Sequence, residues 1–131
     1  MTRVVVIGAG IGGVPMAFEL RDLLKKKAEV FVVSDTEYFH FVPSNPWVAL
    51  RWRKPDDIKV HLPELFARLG IGFSASGAKR ILPAENVVEL NDGQRLTYDH
   101  LVIATGPKLA FDEIEGLGPE RHSVSICHVD H

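Results

Sequence analysis

Several things are scarce in this chain, and each shortage closes off a class of function. Cys127 is its single cysteine, which excludes an intrachain disulfide framework and a cysteine-rich zinc cage. No run of roughly 18 or more apolar residues is present, the length a membrane-spanning helix needs. Charge of one sign is not in excess either: Lys and Arg number 15 against 17 Asp and Glu, for a formal net charge of -2. A nucleic-acid partner requires a clustered positive field, and the basic run Lys25-Lys26-Lys27 fits the end of a helix better. A serine nucleophile elbow, a phosphate-loop lysine motif and a zinc-protease histidine pair are all missing, so hydrolase and triphosphatase readings have no support. There is no internal repeat and no low-complexity segment. The first strand signal follows Met1 so closely that a signal peptide is not expected, and the cytoplasmic side is the default compartment.

What is there is a chain of 131 residues, 46% hydrophobic and 24% charged, enough for one domain with a core. Its organising stretch is Val4 to Gly13, reading Val-Val-Val-Ile-Gly-Ala-Gly-Ile-Gly-Gly. A β-branched run leads into Gly8-x-Gly10-x-x-Gly13 and then into a helical pattern, the strand-turn-helix setting of a dinucleotide site. Gly8 suits the tight turn, Gly10 the approach of a pyrophosphate, and Gly13 close packing of helix on strand. The anion then meets the free N–H groups at the helix start, which Gly8, Ala9, Gly10, Ile11, Gly12 and Gly13 surround. Glycine spacing by itself fits an ordinary glycine-rich turn equally well; the preceding strand separates the two readings.

Gly12 to Lys27 carries helical spacing, with Gly13, Ala17, Leu20 and Leu24 on one face and Pro15 in the first turn. Glu29 to Ser34 reads as a second buried strand, completing a parallel βαβ unit. Ser34 and Asp35 close that strand, where a side-chain oxygen can hold an adenosine ribose; either or both fit, and so does an ordinary turn. Tyr38 to Val48 has neither helical nor strand periodicity, and its aromatics read as core or as a loop facing a ligand. A short helix is expected from near Leu62 to Gly70, with Pro63 in its first turn. Phe73 to Ile81, Asn86 to Leu90 and Arg95 to Tyr98 read as a meander, and Asp99 to Ala104 as a buried parallel strand running into Thr105-Gly106. The fold class is therefore α/β: a Rossmann-like domain with a parallel sheet and an antiparallel three-stranded meander.

Cys127 has three readings from its surroundings. As a lone cysteine flanked by apolar residues it fits a buried small hydrophobe. A charged His128 beside it favours the thiolate and hence reactivity. Metal ligation with His128, Asp130 and His131 lacks a full set of well-placed ligands, and no metal site is expected. His40 and His61 fit packing or capping as well as any ligand role.

Three segments carry a resemblance: Tyr38-Phe-His-Phe-Val-Pro-Ser-Asn-Pro-Trp-Val, Tyr98-Asp-His-Leu-Val-Ile-Ala-Thr-Gly-Pro-Lys-Leu, and Ser125-Ile-Cys-His-Val-Asp-His. With the glycine turn ahead of them, the chain resembles the N-terminal FAD-binding part of the two-dinucleotide-binding-domain flavoproteins, and among these the sulfide:quinone oxidoreductases. The resemblance implies FAD as cofactor, with Gly8 to Gly13 on its pyrophosphate, Ser34 and Asp35 on the ribose, and Ala78 on the adenine through its backbone. It implies that Pro43 and Ala104-Thr105-Gly106 lie near the flavin half. Cys127 matches the first of three cysteines that these enzymes carry, which would make it the catalytic thiol. In the family, sulfide is oxidised by thiol-disulfide chemistry and electrons pass through FAD to a quinone at a membrane surface. The chain corresponds to about the first third of such an enzyme and reads as a fragment, residues 1–131 being an incomplete FAD-binding domain that does not turn over sulfide alone. Related readings are the flavin subunit of a sulfide dehydrogenase with a cytochrome acceptor and a type II NADH dehydrogenase. A reading of another class is a non-catalytic flavin-domain module that self-associates through uncovered apolar surface.

Overall fold

The computed structural model describes residues 1–131. In chain order the elements are β1 (Thr2–Ile7), α1 (Gly13–Leu24), β2 (Ala28–Val33), β3 (Tyr38–His40), α2 (Asn45–Ala49), β4 (Lys59–His61), α3 (Leu62–Leu69), β5 (Gly72–Ser74), β6 (Ala78–Leu82), β7 (Val87–Leu90), β8 (Arg95–Thr97) and β9 (His100–Ile103). They form two compact units, one of residues 1–39 and 61–106, the other of residues 40–60 and 107–131.

The first unit is α/β, with a four-stranded sheet in the order β5-β2-β1-β9 and an antiparallel three-stranded sheet β6-β7-β8. β1 is the centre, pairing parallel with β2 from Thr2↔Ala28 to Ile7↔Val33 and with β9 from Val4↔His100 to Ile7↔Ile103. Side chains of a strand alternate between faces, and here the two faces carry separate cores. Val6, Val30 and Val32 pack with Val14, Ala17, Leu62 and Phe66 from α1 and α3. Val5, Ile7 and Val33 pack with Val88 and Leu90 of the meander. The parallel sheet is therefore covered by helices on one side and by the meander on the other, which is why β1 and β2 are apolar almost throughout.

α1 begins and ends close to expectation, and its basic tail Lys25–Lys27 forms a 3-10 turn. α3 runs to Gly70 as the Pro63 and Gly70 signals require. Other elements differ. The stretch Phe73 to Ile81 is two strands, since the chain turns through Gly77 at φ +76°. The first of them, β5, joins the parallel sheet beside β2, and only the second enters the meander, with an irregularity between Ala78 and Arg80. β9 is an edge strand whose Ile103 is exposed, where full burial is expected from its composition.

In the second unit the segment after His40 is not structureless. A 3-10 turn over Val42–Ser44 leads into α2, each opened by a proline at a position where the missing N–H is harmless. Both elements are too short to leave a periodic imprint on the sequence. A further 3-10 turn spans Pro55–Ile58, with the Asp57 carboxylate accepting from the Lys54 N–H at 2.8 Å. No helix of the chain is long and apolar enough to cross a membrane.

Candidate functional site

The glycine turn after β1 is closed from above by the end of β9. Ala104 donates its N–H to the Ile7 carbonyl at 2.7 Å, and Gly8 donates to the Val33 carbonyl at 2.8 Å. Gly8 has φ +106°, and a Cβ built on it would lie 2.2 Å from the Ala104 carbonyl oxygen. A Cβ on Gly13 would lie 1.8 Å from the Gly8 carbonyl oxygen. These two glycines are required by packing within the protein. Gly10 differs: nothing lies within 4 Å of the position its Cβ would take. The space over Gly10 is open at the start of α1, a helix with no side-chain cap and no acidic residue in its first turn. Within the helix Val14 already donates its N–H to the Gly10 carbonyl at 3.1 Å and Pro15 has none, so the N–H groups left for an anion are those of the turn leading into α1, where the dipole places partial positive charge. Ala9 is buried under the turn, whereas Gly10, Ile11 and Gly12 are exposed on its outer side. This arrangement fits a pyrophosphate, because an uncapped cationic helix end and an open backbone approach coincide at one glycine.

At the end of β2 the two candidate oxygens separate. Ser34 is buried, its Oγ accepts from the Thr36 N–H at 3.3 Å, and its backbone bonds to Ser74 and Gly77. Asp35 is exposed. Its Cβ lies 3.6 Å from the Cβ position of Gly77, and Asn91 Nδ2 lies 2.8 Å from that same position. Asn91 therefore borders the Asp35 loop, with its N–H donating to the Gly77 carbonyl at 3.1 Å. Ala78 follows at the first position of β6, paired with Leu90. Thr105 and Gly106 leave the sheet beside the turn and are exposed. The fold of the first unit thus gathers Gly8 to Gly13, Asp35, Ala78 and Ala104 to Gly106 around the ends of its strands.

In the second unit Pro43 sits exposed in the 3-10 turn before α2. Cys127 is exposed, so the buried-hydrophobe reading is wrong: its segment makes turns and belongs to no strand or helix, and apolar neighbours do not bury it. Its N–H donates to Ser125 Oγ at 3.1 Å. The neighbouring His128 is engaged with groups other than the thiol. Its Nδ1 lies 3.6 Å from Asp130 Oδ2, and its ring stacks on His131 at 4.9 Å and meets His40 edge-on at 6.1 Å. Lys59 Nζ lies 3.5 Å from Asp130 Oδ1. Burial pushes the His40 imidazole below its ordinary value of 6.5, with Lys59 and His128 adding to the fall and Asp130 opposing it.

Residues 2–130 match the family model described as pyridine nucleotide-disulphide oxidoreductase. The chain is 43% identical over 129 residues to the sulfide-quinone reductase of Aquifex aeolicus (strain VF5), covering 98% of this chain and 29% of that protein. It is 28% identical over 123 residues to the mitochondrial sulfide:quinone oxidoreductase of Dictyostelium discoideum, covering 89% of this chain and 26% of that protein. The crystal structure of the sulfide:quinone oxidoreductase from Aquifex aeolicus superimposes with a TM-score of 0.89 at 42% identity, over 100% of this chain and 30% of that chain. The chain therefore spans less than a third of the length of these relatives. From β1 to the Cys127 segment, it belongs to the pyridine nucleotide-disulphide oxidoreductases, a family that binds FAD.

Proposed function

We propose that these residues are the FAD-binding N-terminal portion of a sulfide:quinone oxidoreductase. One observation carries the reading: the likeness to the Aquifex sulfide-quinone reductase extends over 98% of the chain, so it takes in both the open glycine turn and the exposed cysteine. Gly10 and the N–H groups of the turn leading into α1 would hold the pyrophosphate of FAD. Asp35, the exposed member of its pair, holds the ribose hydroxyls, while Ser34 shapes the loop under it. Ala78 offers backbone to the adenine. Ala104, Thr105 and Gly106 would border the flavin half, and Pro43 is the second unit's candidate for the same part of the cofactor. When bound, FAD supplies a two-electron acceptor. Cys127 is the candidate redox thiol: sulfide would join it as a persulfide only with the loss of two electrons and two protons, the electron pair being the one FAD would accept and a quinone at a membrane surface would finally take in the whole enzyme.

The test is anaerobic mixing of the FAD-loaded chain with sulfide and a soluble quinone analogue. These residues are expected to take up FAD and, with one thiol in place of three, to sustain no quinone reduction. A chain that takes up no FAD contradicts the reading. Steady quinone reduction driven by NADH and not by sulfide would favour the type II NADH dehydrogenase reading instead.

A further inference from the structure

Between Phe41 and Arg53 the usual order of burial is inverted. Trp47 and Trp52 are 41% and 73% exposed, while two polar residues, Ser44 and Asn45, are only 2% and 4% exposed. Polar side chains stay buried where hydrogen bonds hold them. The bond of Ser44 is local: its Oγ accepts from Arg53 Nη1 at 2.6 Å, and the same guanidinium lies over the Trp47 ring at 5.4 Å. Pro43 and Pro46 flank the pair and restrict the backbone on either side. The result is a stiff mount for Asn45.

Asn45 reaches a distant part of the sequence. Its Nδ2 donates to the Ile126 carbonyl at 2.9 Å, and Ile126 immediately precedes Cys127, whose own N–H is held by Ser125 Oγ. The backbone leading to the thiol is thus fastened at two points, in a stretch with no strand or helix to order it. The other end of the amide, Oδ1, is buried without a hydrogen-bond partner. A smaller or apolar residue would escape that penalty, so the amide has to be accounted for by its donor end.

We propose that Asn45 is a positioning residue for Cys127: its amide fixes the Ile126 carbonyl and with it the direction from which the thiol meets sulfur. The proposal rests on Cys127 being a redox thiol. It is tested on the 131-residue chain with Asn45→Ala and the nearly isosteric Asn45→Asp. Amide hydrogen exchange at residues 126 to 128 is measured relative to the parent at each pH, with β1 as the internal control for folding. Asn45→Ala raises exchange at Cys127 about tenfold, the loss of one hydrogen bond to a carbonyl, and leaves β1 unchanged. Asn45→Asp matches the parent while its carboxyl is protonated and donates to Ile126, and matches Asn45→Ala once it ionises. A residue that merely fills space gives no such pH dependence. On the same samples Cys127 is treated with an aromatic disulfide, whose sulfur the thiolate attacks to give a mixed disulfide and one released aromatic thiolate. A parent thiol that ignores this reagent overturns the redox reading and the proposal with it. A reactive thiol with unchanged exchange in both variants overturns the proposal alone.

Discussion

Gly8 and Gly10 sit two residues apart in the same turn, yet their substitution is expected to fail in different ways. Gly8 has φ +106°, and an added Cβ would fall 2.2 Å from a backbone oxygen of Ala104. Holding a non-glycine residue in that region costs about 1–3 kcal/mol. Relieving the clash means moving β9 or the turn, an overpacking cost of about 1–3 kcal/mol more. The sum, about 4 kcal/mol, is a large share of the roughly 5–15 kcal/mol that stabilises an ordinary domain. At Gly10 neither term applies, because φ is not positive and nothing lies within 4 Å of the Cβ position. Urea unfolding followed by circular dichroism separates the two. With a slope of about 2 kcal/mol per molar, Gly8→Ala lowers the midpoint by about 2 M, while Gly10→Ala leaves it within the roughly 0.5 kcal/mol of a neutral surface change. A Gly8→Ala chain that unfolds at the parental midpoint, or a Gly10→Ala chain as unstable as Gly8→Ala, would refute the reasoning.

Other sites give independent checks. Phe66 is fully buried, with its ring edge-on to Phe18 and tilted against Phe73, so Phe66→Ala costs about 3–5 kcal/mol, measurable in the same urea titration. Lys25 ends α1 at φ 49° and ψ -125°, a region suited to glycine; Lys25→Gly recovers strain and gives back some backbone entropy, for a net gain of about 1 kcal/mol. A higher melting temperature by a few degrees would show it, and an unchanged or lower one would count against the strain. His40 has a lowered value in the folded state, so the unfolded chain binds more protons as pH falls through 6.5, and stability drops with falling pH in that window. His40→Gln removes that part of the pH dependence, which melting temperatures recorded at pH values above and below 6.5 would reveal.

Much of the first unit is legible in the sequence because its signals are local and redundant. The run Val4 to Ile7 marks β1, the glycines mark the turn, and Pro63 with Gly70 brackets α3. What is not legible depends on tertiary partners. Nothing in Gly72 to Ser74 distinguishes a meander strand from a fourth parallel strand; its place beside β2 does. Ile103 looks like core because it ends an apolar run, but β9 has a neighbour on one side only. Val42 to Ala49 folds into turns too short for any periodicity to register, and there the buried Asn45 is visible in the sequence only as an asparagine between prolines. Cys127 shows the same limit. Its apolar neighbours suggest burial, and only the turn conformation of its segment exposes it. At the candidate site, the close packing at Gly8 and Gly13 and the open space at Gly10 are anticipated by their spacing, while the proposed preference for Asp35 over Ser34 rests on what spacing does not carry, that Ser34 Oγ is spent on its own loop and Asp35 is exposed.

The most direct test of the account is an equilibrium titration of the chain with FAD, compared between the parent and Gly10→Val by flavin absorbance and by unfolding midpoint. The account predicts that the parent binds FAD and that Gly10→Val, whose side chain fills the open space at the start of α1, loses the flavin while keeping the parental midpoint. Equal FAD binding by both chains would contradict it.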